Sequence, residues 1–223
     1  MDMQWPIAIF VLIISLVVHE SAHAWAALQL GDDTAYRLGR ISFNPMVHLD
    51  PIGSVLVPIV MAMLPGGMIY GWAKPVPVNT LRLRQPIRDH ALVAAAGPAS
   101  NLLLALISAL LLGLVTGWAH SHPESIRSEA LPFLALLFEW GISLNILLAL
   151  FNLIPLPPLD GSWIMMAFLR GEAAEAYDRL RPYGFVLVLL LMSLGLGGVL
   201  RSMMTVVGRF YYTVAYQVGT LLA

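Results

Sequence analysis

Cysteine is absent from this chain of 223 residues. Its absence excludes a disulfide framework, a thiolate metal site and a cysteine nucleophile, and it leaves the compartment unreadable from redox chemistry. Charge is scarce as well. Only 11% of residues are Asp, Glu, Lys or Arg, against about 25% in an average soluble domain. The 12 cations and 13 acids nearly cancel, and no basic patch with interleaved aromatics occurs, so nucleic acid is not an expected partner. Instead, 59% of residues are hydrophobic and the mean hydropathy is +0.80, which indicates a polytopic membrane protein in contact with the lipid bilayer. Met1-Asp2-Met3-Gln4 carries no Lys or Arg, unlike the basic start of a cleaved signal peptide.

Apolar runs near the roughly 20 residues needed to cross a bilayer core predict spans at residues 5–30, 90–117, 131–154 and 183–200. Residues 202–222, interrupted by Arg209, Tyr211, Tyr212, Tyr216 and Gln217, read either as a fifth span or as an amphipathic interfacial helix. Residues 51–71 are apolar but broken by Pro58 and Pro65-Gly66-Gly67, as a re-entrant or hairpin element would be. Leu38-Gly39-Arg40-Ile41-Ser42-Phe43 alternates weakly, as a short strand does. The expected fold is an all-α bundle of about five to six transmembrane helices, with a re-entrant or short β element between the first two clear spans. It forms a single membrane-embedded domain over residues 1–223.

Cations set an orientation. Arg37 and Arg40 lie in the first connection, and Lys74, Arg82, Arg84 and Arg88 precede the second clear span. Placing both groups in the cytoplasm puts the N-terminus outside, provided residues 51–71 make no net crossing. His19/His23, Gly97–Asn101 and Asn152–Asp160 then lie at one depth, toward the cytoplasmic side.

The chemistry-bearing stretch is His19-Glu20-Ser21-Ala22-His23, at the end of an uncharged run. Side chains four apart share a helix face, so the two imidazoles can meet one metal ion, with Glu20 beside them as a general base toward water. Ionisable groups in a lipid-facing segment cost a few kcal/mol each, and a bound cation offsets that most simply. Buried histidines hydrogen-bonded to neighbouring helices are the alternative. A catalytic zinc site usually takes three protein ligands. Asp160 is the candidate third, because Pro155, Pro157 and Pro158 stop the preceding helix and leave a carboxylate free to turn into the bundle. Asp160 reads equally well as the N-cap of the next helix. His48 reads as a loop or interface histidine.

With these motifs in hand, the chain resembles the site-2 protease family of intramembrane zinc metalloproteases. The resemblance rests on His19-Glu20-x-x-His23, Gly97-Pro98-x-x-Asn101, Asn152-x-x-Pro155-x-Pro157-x-Leu159-Asp160-Gly161 and the stretch from Gly71-Trp72-Ala73-Lys74-Pro75 to Val76-Pro77-Val78-Asn79. The family's last motif often ends Leu-Asp-Gly-Gly, whereas Ser162 follows Gly161 here. The resemblance implies that His19, His23 and Asp160 bind one zinc ion per chain, that Glu20 activates water, and that the substrate is a transmembrane protein. It also implies a minimal, membrane-only member without a PDZ or CBS domain, in a prokaryotic plasma membrane. Asn101, and less strongly Asn152, are candidate donors to the substrate backbone or developing oxyanion, with an interhelical hydrogen bond as the plainer role. A metal transporter and a non-catalytic zinc-binding membrane protein are the other classes. The first needs ligands along a path, and the second would normally lose Glu20 or a ligand.

Overall fold

The structure, a computed structural model, describes residues 4–50, 74–122, 124 and 130–222. Its elements are helical: α1 (Gln4–Gln29), α2 (Thr34–Arg37), α3 (Pro86–Ser121), α4 (Ala130–Asn152), α5 (Asp160–Met166), α6 (Glu172–Asp178), α7 (Gly184–Leu191) and α8 (Gly197–Leu222). Among the described residues, four stretches are long and apolar enough to cross a membrane: α1, α3, α4 and the helical run Glu172–Leu222 that contains α6 to α8. The polytopic all-α reading therefore holds. The re-entrant element expected at residues 51–71 lies outside the described residues. The strand expected at residues 38–43 does not form, and no strand occurs among the described residues. Gly39 takes a positive φ of 69°, and Arg40 turns inward to donate to the Val47 carbonyl oxygen at 2.5 Å, so local turn contacts override a weak alternation.

The expected span at residues 183–200 falls within the helical run Glu172–Leu222, which bends inside it. Gly195 has φ 105° and ψ 8°, a left-handed conformation that breaks the helical path. α7 (Gly184–Leu191) continues directly into a π-helical turn, Met192–Leu196, that contains the bend. The run goes on as α8, with 26 residues, about 39 Å long. Hydropathy reports what surrounds a segment and says nothing of its direction, so a bent apolar run scores like a straight one.

α3 is the central helix. Gly113 and Gly117 let α8 approach closely, since a methyl group at either position would come within 3 Å of the Ala215 or Gly219 carbonyl oxygen. Ser121 Oγ donates to the Leu222 carbonyl oxygen at 2.8 Å, so α3 and α8 run parallel. α4 runs antiparallel to α3, joined by Asn101 Nδ2 donating to Asn145 Oδ1 at 2.8 Å. Ala105, Ala109, Leu112, Ile142, Ile146, Tyr211 and Ala215 form the core between α3, α4 and α8. Small residues bring the backbones together, as dispersion-driven packing in lipid requires.

The connections rich in cations meet at one end. Lys74 N–H donates to the His48 carbonyl oxygen at 2.8 Å and Arg84 N–H to that of Leu30 at 3.3 Å. Asp32, fully buried, accepts from Thr34 N–H at 3.0 Å and from Asn79 N–H at 2.6 Å. His48 is a buried loop histidine that donates from Nε2 to the Ser42 carbonyl oxygen at 2.8 Å. Asp32→Ala strands both amide hydrogens, which costs about 1–3 kcal/mol. Its melting temperature in detergent is expected to fall clearly, whereas Arg82→Ala, which removes only an exposed partner of Asp33, should shift it little.

Candidate metal centre

α1 carries His19, Glu20 and His23, α3 supplies the wall opposite, and α5 begins at Asp160. His19 and His23 are buried, one turn apart, with their rings edge to face and centroids 4.6 Å apart. His23 Nδ1 lies 2.7 Å from the Val93 carbonyl oxygen, and His19 Nδ1 lies 2.6 Å from Asn101 Oδ1. Both oxygens can only accept, so each histidine carries its proton on Nδ1 and donates it there. The Asn101 amide is oriented by its other end, where Nδ2 donates to Asn145 Oδ1 at 2.8 Å and reaches the Ser15 carbonyl oxygen at 3.4 Å. Asn145 in turn donates to the Gly141 carbonyl oxygen at 2.8 Å.

Two Nε2 lone pairs are left, 3.1 Å apart. Asp160 meets them, with Oδ2 at 3.2 Å from His19 Nε2 and Oδ1 at 3.4 Å from His23 Nε2. α4 ends at Asn152, and the proline-rich turn swings the chain back so that Gly161 lies against the Leu153 and Ile154 carbonyl oxygens. Leu159 occupies the cap position of α5, and no side chain caps this helix. The N-cap reading of Asp160 therefore fails, and its carboxylate points at the histidines.

The donor set fits a cation. One ligand atom from each of His19, His23 and Asp160 lies within 4.8 Å of the others, and the buried Asp160 Oδ2 has no hydrogen-bond partner. Three electron-rich atoms this close repel unless a positive charge sits among them, and two nitrogens with one carboxylate suit zinc. Gly97 makes the room. A methyl group there would lie 2.4 Å from His23 Nε2 and 2.6 Å from His19 Cε1.

The site opens into a cavity of about 590 Å³ lined by Glu20, Val76, Val78, His90, Asn152 and Trp163 together with the three convergent residues. Asn152 thus faces the cavity while its Nδ2 donates to the Leu148 carbonyl oxygen at 3.0 Å. Asn101 does not line the cavity. It is fully buried and engaged with His19, Ser15 and Asn145. Sequence reasoning passed over His90, whose ring stacks on Trp163 at 3.9 Å, and Arg181, whose guanidinium lies over the same indole at 3.4 Å. A signal existed, because His90 precedes Gly97 by two helical turns and Trp163 follows Asp160 by one.

Helices long and apolar enough to cross a membrane, around a buried His, His, Asp group that could hold a metal ion with a carboxylate alongside, suit a membrane-embedded metallohydrolase. The model of Peptidase family M50 matches residues 7–194, and the chain belongs to that family, the site-2 protease family its motifs resemble. It is 38% identical over 204 residues to "Putative zinc metalloprotease YwhC" of Bacillus subtilis, covering 92% of this chain and 88% of the relative. It is 30% identical over 192 residues to "Putative zinc metalloprotease Rip2" of Mycolicibacterium smegmatis, covering 83% of this chain and 68% of the relative. A protein of the same name in Mycobacterium tuberculosis is 30% identical over 179 residues, 80% of this chain and 63% of the relative. No solved structure matches the chain.

Gly97→Ala should cost about 1–3 kcal/mol as an overpacked contact, leaving a folded protein whose imidazoles are displaced. Elemental analysis of the purified variant is expected to show zinc far below one equivalent. Full occupancy would mean that the imidazoles can move aside without loss.

Proposed function

We propose that the chain is an intramembrane zinc metalloprotease that hydrolyses peptide bonds within or near transmembrane segments of membrane proteins. The observation that carries this reading is the convergence of His19 Nε2, His23 Nε2 and the Asp160 carboxylate in a cavity that also holds Glu20. His19, His23 and Asp160 would hold the ion. When bound, zinc supplies Lewis acidity, lowering the pKa of water toward about 7 and polarising the scissile carbonyl.

The chain's own residues do the rest. Glu20, half-buried at the cavity wall, takes a proton from the attacking water and returns it to the leaving amine. Asn101 acts through His19, whose tautomer and orientation it sets; partners of this kind are worth about 10–100-fold in metal affinity or activity. Asn152 is the amide placed to meet the substrate backbone, because it faces the cavity. Val76 and Val78 line the cavity from a segment without helix, where an unwound substrate segment can lie extended alongside. Unwinding is needed because helical peptide groups are hidden by their own hydrogen bonds.

Charge supports the orientation. Arg37, Arg40, Lys74, Arg82, Arg84 and Arg88 flank the end at which α1 finishes and α3 begins, and Tyr177 Oη donates to the Pro155 carbonyl oxygen at 2.9 Å, bringing the loop with Arg170, Arg179 and Arg181 to the same end. That end is the cytoplasmic one by the positive-inside rule, in a plasma membrane of prokaryotic type.

Glu20→Gln is expected to keep one zinc per chain while cleavage of a model transmembrane substrate in liposomes falls about 10²–10⁴-fold. Cleavage at the wild-type rate would refute the general-base role, and zinc efflux from loaded vesicles without cleavage would favour a transporter. Asn101→Ala should weaken zinc binding by about 10–100-fold in a chelator competition. Unchanged zinc affinity with a reduced kcat would instead assign Asn101 to the oxyanion.

A further inference from the structure

α8 is unlike the other long helices in the face it shows to lipid. Arg201, Thr205, Arg209, Tyr212, Tyr216 and Thr220 recur at helical spacing and are all exposed. The apolar exposed residues Met203, Val206, Phe210 and Leu221 lie on the other flank. Across the groove beside this polar stripe, α4 shows Glu139, also exposed, and Ser143, which hydrogen-bonds Tyr212 Oη at 3.2 Å. The two helices thus form one polar seam along the outside of the bundle.

Depth makes this seam expensive to leave open. Arg209 is 12 residues from Gly197 and 13 from Leu222, about 18 Å from either end of α8. That is too deep for the side chain to reach the headgroups, so snorkelling does not rescue it. The hydroxyls look after themselves, as Thr205 and Thr213 donate to carbonyl oxygens one turn back. The charges do not: neither Glu139 nor Arg209 has an ion-pair partner among the described residues.

Register relates the two charges. Ala215 and Val218 lie against Gly113 of α3, and Gly141 of α4 lies against Ser108. Projected through α3, Glu139 stands level with about Tyr212, less than one helical turn, or roughly 5 Å, above Arg209. One acid and one base of near-equal depth therefore sit on one surface, close but unpaired. A two-fold axis along the membrane normal preserves depth and sidedness, and it sets each residue of a patch against a different residue of the same patch in the partner. We propose that this seam is the contact between two copies of the chain, with Glu139 of each copy paired to Arg209 of the other. Tyr212 and Tyr216, 42% and 71% exposed, become interface aromatics, a residue type enriched with Arg in such contacts.

The chain's lack of cysteine makes the test direct. Tyr216→Cys in native membranes is expected to give a disulfide-linked dimer on mild oxidation, and Phe210→Cys, on the far flank of α8, is not. In nanodiscs, mass measurement should find two copies of the wild-type chain. Glu139→Arg and Arg209→Glu should each weaken self-association at least tenfold, and the double variant should restore it. Bound zinc serves as the check that each variant is folded. A wild-type chain that stays monomeric and uncrosslinked would overturn the proposal. So would a dimer indifferent to both charge changes, or a different membrane protein crosslinked at Tyr216→Cys in place of a second copy.

Discussion

Two imidazole nitrogens and a carboxylate, all electron-rich, are held within about one atomic diameter of hydrogen-bonding distance inside a membrane bundle, and the surrounding architecture serves to hold them there. The Val93 carbonyl and the Asn101 amide each accept the Nδ1 proton of one histidine, which turns both lone pairs inward. Gly97 yields the space a side chain would fill. A buried set of this kind calls for a compensating positive charge, since uncompensated charge and lone pairs in a low dielectric cost several kcal/mol.

That requirement shapes the backbone. A carboxylate on a continuous helix parallel to α1 would project at whatever angle the helix face allowed. Ending α4 at Asn152 and restarting at Asp160 frees the carboxylate to approach from the side. Broken backbone at membrane depth is tolerated where it lines a polar cavity. Here the cavity is lined both by the histidines and by Pro75, Val76, Val78 and His90, next to the cation-rich connections. The stack of His90 on Trp163, with Arg181 over the indole, ties α3, α5 and the turn before α7 together at the cavity wall.

The outer surface divides by the same logic of solvent. α1, α3 and most of α4 show apolar side chains to lipid, as a hydrocarbon environment demands. The seam between α4 and α8 breaks that rule with an acid and a base near mid-helix, and a second copy of the chain supplies to each the opposite charge at nearly the right depth.

Sequence by itself indicated the solvent, the helical class and the candidate residues of the site. Scarce charge and long apolar runs require lipid around helices, and the spacing of His19 and His23 sets two imidazoles on one face of any helix. The family also followed from ordered motifs. Other features were undetermined because they depend on contacts between distant segments. Asp160 as cap or as histidine partner was undecidable locally, since both readings need only an Asp after prolines, and the packing of Gly161 against the end of α4 decided it. Asn101 looked like a substrate-facing amide until the approach of α1 and α4 to α3 enclosed it between His19 and Asn145. The bend at Gly195, the missing strand at residues 38–43 and the entry of His90 and Trp163 into the cavity were likewise left to tertiary structure. Hydropathy and alternation measure what a residue prefers to touch, and only the packed bundle determines which residue it meets.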